Sequence, residues 1–172
     1  MRTTLVILLC FLFTSSSFSQ DSSSIQFKSL THALGIYKLE KLKGKTGMSV
    51  SFQATFEINN HLLAGSFAVG SGILNDDDVL KNSIHSFIDI NLLYGREFKI
   101  FDDIIIDVFS GIGYLEQTKL NNDDQGVVLN IPIRAKLMFV ASERTRLGIL
   151  SQLNFNSKND IFMYQFFLQF EF

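Results

Sequence analysis

Apolar and polar residues alternate along most of this chain with a period of two. In the stretch GMSVSFQATFEI, which begins at Gly47, apolar side chains occupy every second position and polar side chains lie between them. The apolar set is Val50, Phe52, Ala54, Phe56 and Ile58. Successive side chains of a β-strand point to opposite faces, so this pattern predicts strands with one apolar and one polar face.

Turn signals divide this pattern into eight predicted strands. They lie at residues 29–39, 47–58, 62–72, 83–95, 103–115, 126–140, 145–156 and 161–172. The longer connections EKLKGKT, LNDDDVLKN and EQTKLNNDDQ alternate with the connections NNH, REFKIFD and ASER, and the last connection, SKND, is also short. An even number of strands, each long enough to cross a bilayer, predicts an all-β, eight-stranded antiparallel up-and-down transmembrane barrel. Both chain ends then lie on the short-turn side.

Residues 1–19 have the features of a cleavable signal peptide. Arg2 precedes an apolar core from Leu5 to Phe13, and a small-residue site, Ser-Phe-Ser, follows. The apolar core is about half the roughly 20 residues that a membrane-spanning helix needs, which disfavours a transmembrane anchor. We therefore expect export, with a short segment at 20–28 and the barrel at 29–172.

Composition excludes several functional classes. The formal net charge is -2, so the chain has no general attraction for nucleic acid. Its one cysteine, Cys10, lies in the predicted signal peptide, and the three histidines lack the spacing of a metal site. Export without disulfides is compatible with a bacterial envelope. We predict no metal and no cofactor.

The sequence ends in YQFFLQFEF, which places a large apolar side chain at every second position back from the last residue. These side chains are Tyr164, Phe166, Leu168, Phe170 and Phe172. In this feature and in its architecture, the chain resembles the small eight-stranded outer-membrane β-barrels of Gram-negative envelopes. The resemblance implies an outer-membrane location, contact with membrane lipid and lipopolysaccharide, and recognition of the last strand by the barrel-assembly machinery. It also implies that the terminal rings face lipid.

A soluble β-barrel or sandwich would show the same alternation, with its apolar face turned inward. Such a fold normally carries many Lys and Glu side chains on its water-facing side, whereas the polar face here is sparse and small. Small residues on this face are Ala64, Ser66, Ala68, Gly70 and Gly72 in one strand and Gly111 and Gly113 in another. They suit the narrow lumen of an eight-stranded barrel.

Charged residues on the presumed inner face predict an ion network that fills the lumen. Pairing the fifth and sixth strands through the loop between them places Asp107 opposite Arg134, and we expect these two to form an interior ion pair. Lys136, Glu57 and Asp89 are predicted as further members. Paired charges offset their desolvation and block the lumen, which predicts a porin-like barrel without an open pore.

Two strands do not fit this pattern simply. Pro132 falls inside the sixth strand and has no N–H to donate, so we expect a bulge or a local break there. In the first strand, LTHALGIYKLEK allows two orientations, one with Leu34 and Ile36 facing lipid. The orientation that we favour turns His32 and Lys38 inward. It exposes to lipid the side chains of Ala33, Gly35, Tyr37 and Leu39.

The predicted function is that of a non-enzymatic outer-membrane barrel, acting as an envelope component or as a scaffold for surface loops. One alternative is a lipid A-modifying enzyme, because Ser83 and His85, near the acidic stretch Asp76 to Asp78, have the residue types for acyl transfer. No paired acid is fixed by spacing, so we assign no catalytic residue. A narrow channel, or a subunit of a secretion or uptake assembly, is the other alternative.

Overall fold

The structure, a computed structural model, describes residues 25–39, 46–72, 85–119 and 122–172. Eight β-strands account for nearly all of these residues. They are β1 (Gln26–Leu39), β2 (Thr46–Ile58), β3 (His61–Gly72), β4 (His85–Phe101), β5 (Ile104–Lys119), β6 (Asn122–Ser142), β7 (Thr145–Asn156) and β8 (Ile161–Glu171). The described part of the chain contains no helix that is long and apolar enough to cross a membrane.

The eight strands form a closed antiparallel barrel. Each strand pairs with the next along the chain, and β8 pairs with β1 from Ser29↔Glu171 to Leu39↔Ile161. The predicted fold class, strand number and strand order are therefore confirmed. Closure gives every strand a hydrogen-bonded neighbour on each side, so the described sheet has no free edge strand.

Some strands are longer than predicted. β4 continues through the segment REFKIFD, which we expected to be a connection, and turns only at residues 102–103. β5 and β6 likewise extend into the predicted connection EQTKLNNDDQ. The turns at residues 59–60, 102–103 and 143–144 define the short-turn end of the barrel, where the described chain also begins and ends. We call the opposite end the loop end.

In the β2–β3 turn, the residue types suit the backbone conformation. Asn59 and Asn60 have φ values of 49° and 63°, in the left-handed region. Positive φ at both positions is typical of a two-residue type I′ hairpin turn, whose twist matches that of the strands, and asparagine tolerates that conformation better than most residues.

The barrel carries apolar side chains on its outside and polar side chains in its interior, which is the reverse of a soluble protein. Outward side chains are large and apolar, with Leu129 83% and Phe166 75% exposed, whereas Asp89 and Lys136 in the interior are 0% exposed. The outward orientation that we predicted for the apolar side chains of β2, β6 and β8 is confirmed. An apolar outer surface around a polar interior suits lipid as the surrounding medium.

The orientation that we favoured for β1 is wrong. Leu34 and Ile36 point outward and are each 53% exposed, and His32 and Lys38 are exposed with them. Opposite residues of paired strands share a face, and Leu34 lies opposite Phe166 of β8, which points outward. The lumen instead receives the side chains of Ala33, Tyr37 and Leu39, and Gly35 lies on the same inner face.

Pro132 lies on the inner face of β6 without a bulge. The register with β7 runs unbroken through Pro132↔Asn154, and the register with β5 is the same on both sides of the proline, at Ser110↔Ile133 and Gly113↔Asn130. Pairing with β5 is interrupted between those two pairs. Of the two outcomes that we expected, a bulge or a local break, the structure has the local break, which suits a residue that has no N–H to donate.

Candidate functional site

The centre of the lumen is built around the carboxylate of Asp89. Four side-chain amides donate hydrogen bonds to it: those of Asn91 at 2.8 Å, Asn130 at 2.8 Å, Gln152 at 3.0 Å and Asn154 at 2.9 Å. All five side chains are buried. Neutral donors from its own strand β4 and from β6 and β7 thus take the place of the water that would otherwise solvate this charge.

Arg134 lies beside this carboxylate and is joined to it through one amide. Its guanidinium donates to Gln152 at 2.6 Å, to Ser66 at 3.2 Å and to Gln53. Gln152 accepts from Arg134 and donates to Asp89, so it links the two charges. Among the described residues, Arg134 makes no direct salt bridge.

A second buried charge layer pairs Lys136 with Asp107. The ammonium lies 3.2 Å from the Asp107 carboxylate and donates to Gln169 at 2.7 Å. The rings of Phe109 and Phe167 lie beside it, with centroids 5.4 Å and 5.7 Å from Nζ. Lys136 therefore combines an ion pair with two cation–π contacts in the buried interior.

The predicted Asp107–Arg134 pair is wrong, because the register of β5 and β6 changes near their loop. Close to the loop, Lys119 pairs with Asn122, which is the register that the predicted pair requires. An irregularity between Gln117 and Lys119 then shifts the pairing, so that Asp107 lies opposite Lys136 and not Arg134. A bulge of this kind is set by local geometry and leaves no clear mark in the hydropathy pattern.

A third charge group lies at the short-turn end, and Glu57 belongs to it. Lys28 contacts Glu57 at 2.8 Å and Glu97 at 3.0 Å, and Arg146 contacts Glu97 at 3.0 Å and Glu171 at 2.6 Å. We call these five residues the mouth cluster. The side chains of the four residues that join Glu57 are 14% to 26% exposed, so the mouth cluster is better hydrated than the two inner layers.

Sequence reasoning missed those four members of the mouth cluster. Glu97 lies in the segment taken for a turn, and Lys28 lies in the segment assigned to the chain before the barrel. Extending the two-residue alternation of β4 would have placed Glu97 on the inner face. Lys28 departs from the alternation of β1, because the register with β2 shifts between Phe27 and Ser29.

The loop end of the lumen is filled by apolar side chains. Tyr37 and Phe87 meet edge to face there, with centroids 4.9 Å apart. The cluster comprises Tyr37, Leu39, Ala68, Phe87, Leu115, Ile161 and Met163, all buried. In the β7–β8 connection, the Asn159 side-chain amide donates to Gln117 at 3.3 Å, and the Asn159 carbonyl accepts from Gln117 at 3.3 Å. These contacts close the lumen at this end.

The predicted acyl-transfer set cannot be assembled from the described residues. Ser83 and residues 76–78 lie outside them, and His85 is the first residue of β4. Within the described ranges, no group of three or more His, Cys, Asp or Glu side chains could hold a metal ion.

The last strand exposes its predicted set of side chains. Tyr164, Phe166, Leu168 and Phe170 all point outward, and Phe172 is 78% exposed. The Phe172 N–H donates to the Lys28 carbonyl at 3.0 Å. At the short-turn end, the Phe27 ring contacts Phe172 at 5.1 Å and Phe56 at 5.4 Å between centroids. The terminal ring is thus part of an outward aromatic group.

Three solved structures of small β-barrels are similar to this one. Neisserial surface protein A is 10% identical, with a TM-score of 0.72 over 88% of this chain and 100% of that protein. Ail, the attachment invasion locus protein of Yersinia pestis, is 12% identical, with a TM-score of 0.58 over 86% of this chain and 99% of that protein. The outer membrane enzyme PagL is 13% identical, with a TM-score of 0.52 over 84% of this chain and 99% of that protein.

No family model matches the sequence, and no curated protein matches it. At identities of 10 to 13% the likeness is one of fold. The chain has the fold of the small eight-stranded outer-membrane β-barrels, as the resemblance implied, and that fold is shared by a surface protein and an enzyme.

Proposed function

We propose that this chain is an integral outer-membrane β-barrel with a closed lumen, which acts without catalysis as an envelope component and as a scaffold for its surface loops. The observation that carries the proposal is the inverted distribution of side chains. Large apolar residues such as Leu129 and Phe166 cover the outside, while Asp89, Arg134 and Lys136 are buried inside. In water this outer surface would aggregate, and in lipid it is stable.

Three further features support a location in the outer membrane. The sequence begins with the pattern of a signal peptide, the neighbours in structure include a protein described as an outer membrane enzyme, and the last strand carries an aromatic at its end. Under this proposal the chain ends and short turns lie in the periplasm. The barrel-assembly machinery then recognises the side chains from Tyr164 to Phe172, and lipopolysaccharide surrounds the loop end.

The side chains inside the barrel favour a scaffold over a pore. From the mouth cluster to Tyr37 and Phe87, the described lumen contains three charge layers and an apolar closure. The charges of Asp89, Arg134 and Lys136 each have several neighbouring side chains as partners, which reduces the need for water to solvate them. The interior of an eight-stranded barrel is narrow enough for side chains to fill.

Refolding the purified chain into lipid vesicles tests membrane insertion. We expect a folded form that resists extraction by alkaline carbonate and migrates differently on a gel when it is unheated. Failure to insert under conditions that fold other small barrels would refute the membrane assignment.

Two measurements on the inserted barrel test the closed and non-enzymatic parts of the proposal. In planar bilayers we expect conductance at background, and stable single-channel steps would show a pore instead. Incubated with purified lipopolysaccharide, the barrel should leave the mass of lipid A unchanged. Loss or gain of an acyl chain would establish an enzyme.

A further inference from the structure

Three polar side chains form a connected group on the outer face of the barrel, at the short-turn end. Arg96 of β4 lies directly opposite His61 of β3, and its Nη2 is 3.2 Å from the His61 Nε2. The other ring nitrogen, Nδ1, is hydrogen-bonded to the Tyr94 hydroxyl, and the two rings stack with centroids 5.5 Å apart. Arg96, His61 and Tyr94 are here called the outer triad.

The hydrogen bonds of the outer triad indicate the tautomer of the neutral His61 ring. A guanidinium has only donors, so the His61 Nε2 must accept from Arg96. The proton of the neutral ring then lies on Nδ1, which donates to the Tyr94 oxygen. His61 therefore orients the Arg96 side chain, whose guanidinium is exposed on the outer face.

The charge of Arg96 has no acidic partner among the described residues. At the same end, Lys28 and Arg146 point into the mouth cluster and Lys99 contacts Asp102 at 3.1 Å. Arg144, in the turn at residues 143–144, likewise has no acidic partner among the described residues. Arg96 is exposed, and the side chain opposite it on β5 is Val108. A guanidinium without an acidic partner, at the edge of the apolar outer surface, favours an anionic ligand at the same level of the membrane.

The outer surface is open at Gly65, two outward positions along β3 from His61, and we call this opening the groove. Along β3 the outward positions after His61 are Leu63 and Gly65, and Gly65 lies opposite Ala54 of β2 and Leu92 of β4. A Cβ added at Gly65 would meet no atom within 4 Å, so the surface there is open. Leu63 and Leu92, 38% and 62% exposed, border this opening.

We propose that the outer triad and this groove bind one phospholipid of the leaflet at the short-turn end. Arg96 forms charge-assisted hydrogen bonds to the phosphate diester, His61 and Tyr94 position the guanidinium, and one acyl chain lies over Gly65 and Ala54. The inference rests on the proposed membrane function, since only an inserted barrel presents this face to a leaflet. It assigns to the triad a specific ligand, whereas a general interfacial anchor would show no preference for phosphate.

Native mass spectrometry of the folded barrel, released from nonionic detergent, measures the bound lipid. The probe is dioleoylphosphatidylglycerol, compared with dioleoylglycerol, which has the same chains and no phosphate. We expect the wild type to retain the phospholipid and very little of the diacylglycerol. Millimolar inorganic phosphate should not displace the phospholipid, because the groove contributes to its binding.

Three variants locate the site. Arg96→Gln should weaken phospholipid retention about tenfold, the size of one lost charge-assisted contact. Gly65→Leu fills the groove and should also reduce retention, whereas Lys99→Gln removes a neighbouring charge outside the site and should leave it unchanged. Equal retention by wild type and Arg96→Gln, equal retention of the two lipids, or an equal loss in Lys99→Gln would overturn the inference.

Insertion into vesicles is measured on the same samples and separates the two proposals. A wild type that inserts but shows no preference for the phospholipid refutes the lipid site and leaves the membrane barrel standing. A wild type that does not insert refutes both.

Discussion

Replacing Lys136 by methionine tests whether the inner charge layer depends on pairing. Asp107 is 2% exposed, and its carboxylate has one cation in contact, the Lys136 ammonium at 3.2 Å. Within the described part of the chain its Oδ1 has no hydrogen-bond partner. Methionine has an unbranched side chain one atom shorter than that of lysine and no charge, so the change leaves the carboxylate unpaired inside the barrel. Breaking a buried pair in this way costs about 3–5 kcal/mol, and we expect the free energy of unfolding to fall by about that amount.

A second variant separates the loss of pairing from the loss of packing. In Lys136→Met combined with Asp107→Asn neither charge remains, and the free energy of unfolding should return to within about 1 kcal/mol of the wild type. Lys99→Met is the matched control, because Lys99 and Asp102 form an ion pair whose side chains are 61% and 96% exposed. An exposed pair of this kind contributes about 0–1 kcal/mol.

The assay is equilibrium unfolding in urea from lipid vesicles. The chain has no tryptophan, so far-ultraviolet circular dichroism and gel mobility without heating report the folded fraction in place of tryptophan fluorescence. A single Lys136→Met variant that loses less than about 1 kcal/mol would refute the role of pairing. So would a double variant that is as unstable as the single one.

Three further perturbations have outcomes that the structure specifies. Deleting Phe172 should reduce insertion in cells and leave the detergent-refolded barrel largely intact, and equal insertion in cells of the deletion variant and the wild type would remove its assembly role. Asp89→Leu takes the acceptor from four buried amides and should lower the free energy of unfolding by about 3 kcal/mol or more, measured by urea unfolding. Gly148→Ala places a methyl group against the Leu137 carbonyl and should destabilise the barrel, whereas Gly65→Ala, in open space, should not; equal effects of the two changes would contradict the geometry.

The barrel itself was predictable because its physical cause is repeated in every strand. Alternation identifies each strand, and an even number of long strands with both ends on one side indicates closure. The side-chain orientation of β2, β6 and β8 also follows, since in each of them one face is consistently apolar. Strand ends were less predictable, as β4 shows, because REFKIFD has charges on both faces and reads as a connection.

The orientation of β1 could not be read from hydropathy, because both of its faces carry apolar residues. Tyr37 and Leu39 belong to the apolar closure of the lumen, and Leu34 and Ile36 belong to the outer belt. A two-residue period cannot distinguish an apolar interior from a lipid-facing surface. Only the pairing with β8, which places Leu34 opposite Phe166, decides the orientation.

The pairing of the inner charges failed for a different reason. The predicted partners lay on the correct face, but their register depended on a bulge near the β5–β6 loop. Such a displacement leaves each side chain on its face and changes only the partner that it meets. Asp107 therefore meets Lys136, and Arg134 lies level with Phe109.

The two ends of the lumen help to explain why the inner charges are surrounded by side chains. At the loop end, the rings of Tyr37 and Phe87 occupy the space that side chains at Gly47 and Gly70 would fill, so two glycines make the closure possible. At the short-turn end, the mouth cluster is partly hydrated and holds its charges in pairs. Between these ends Asp89 is surrounded by four amides because an eight-stranded interior leaves little room for a hydration shell. The amide-rich sequence of the inner faces is thus a consequence of the strand number, since a narrower lumen requires more of its polar groups to be satisfied by side chains.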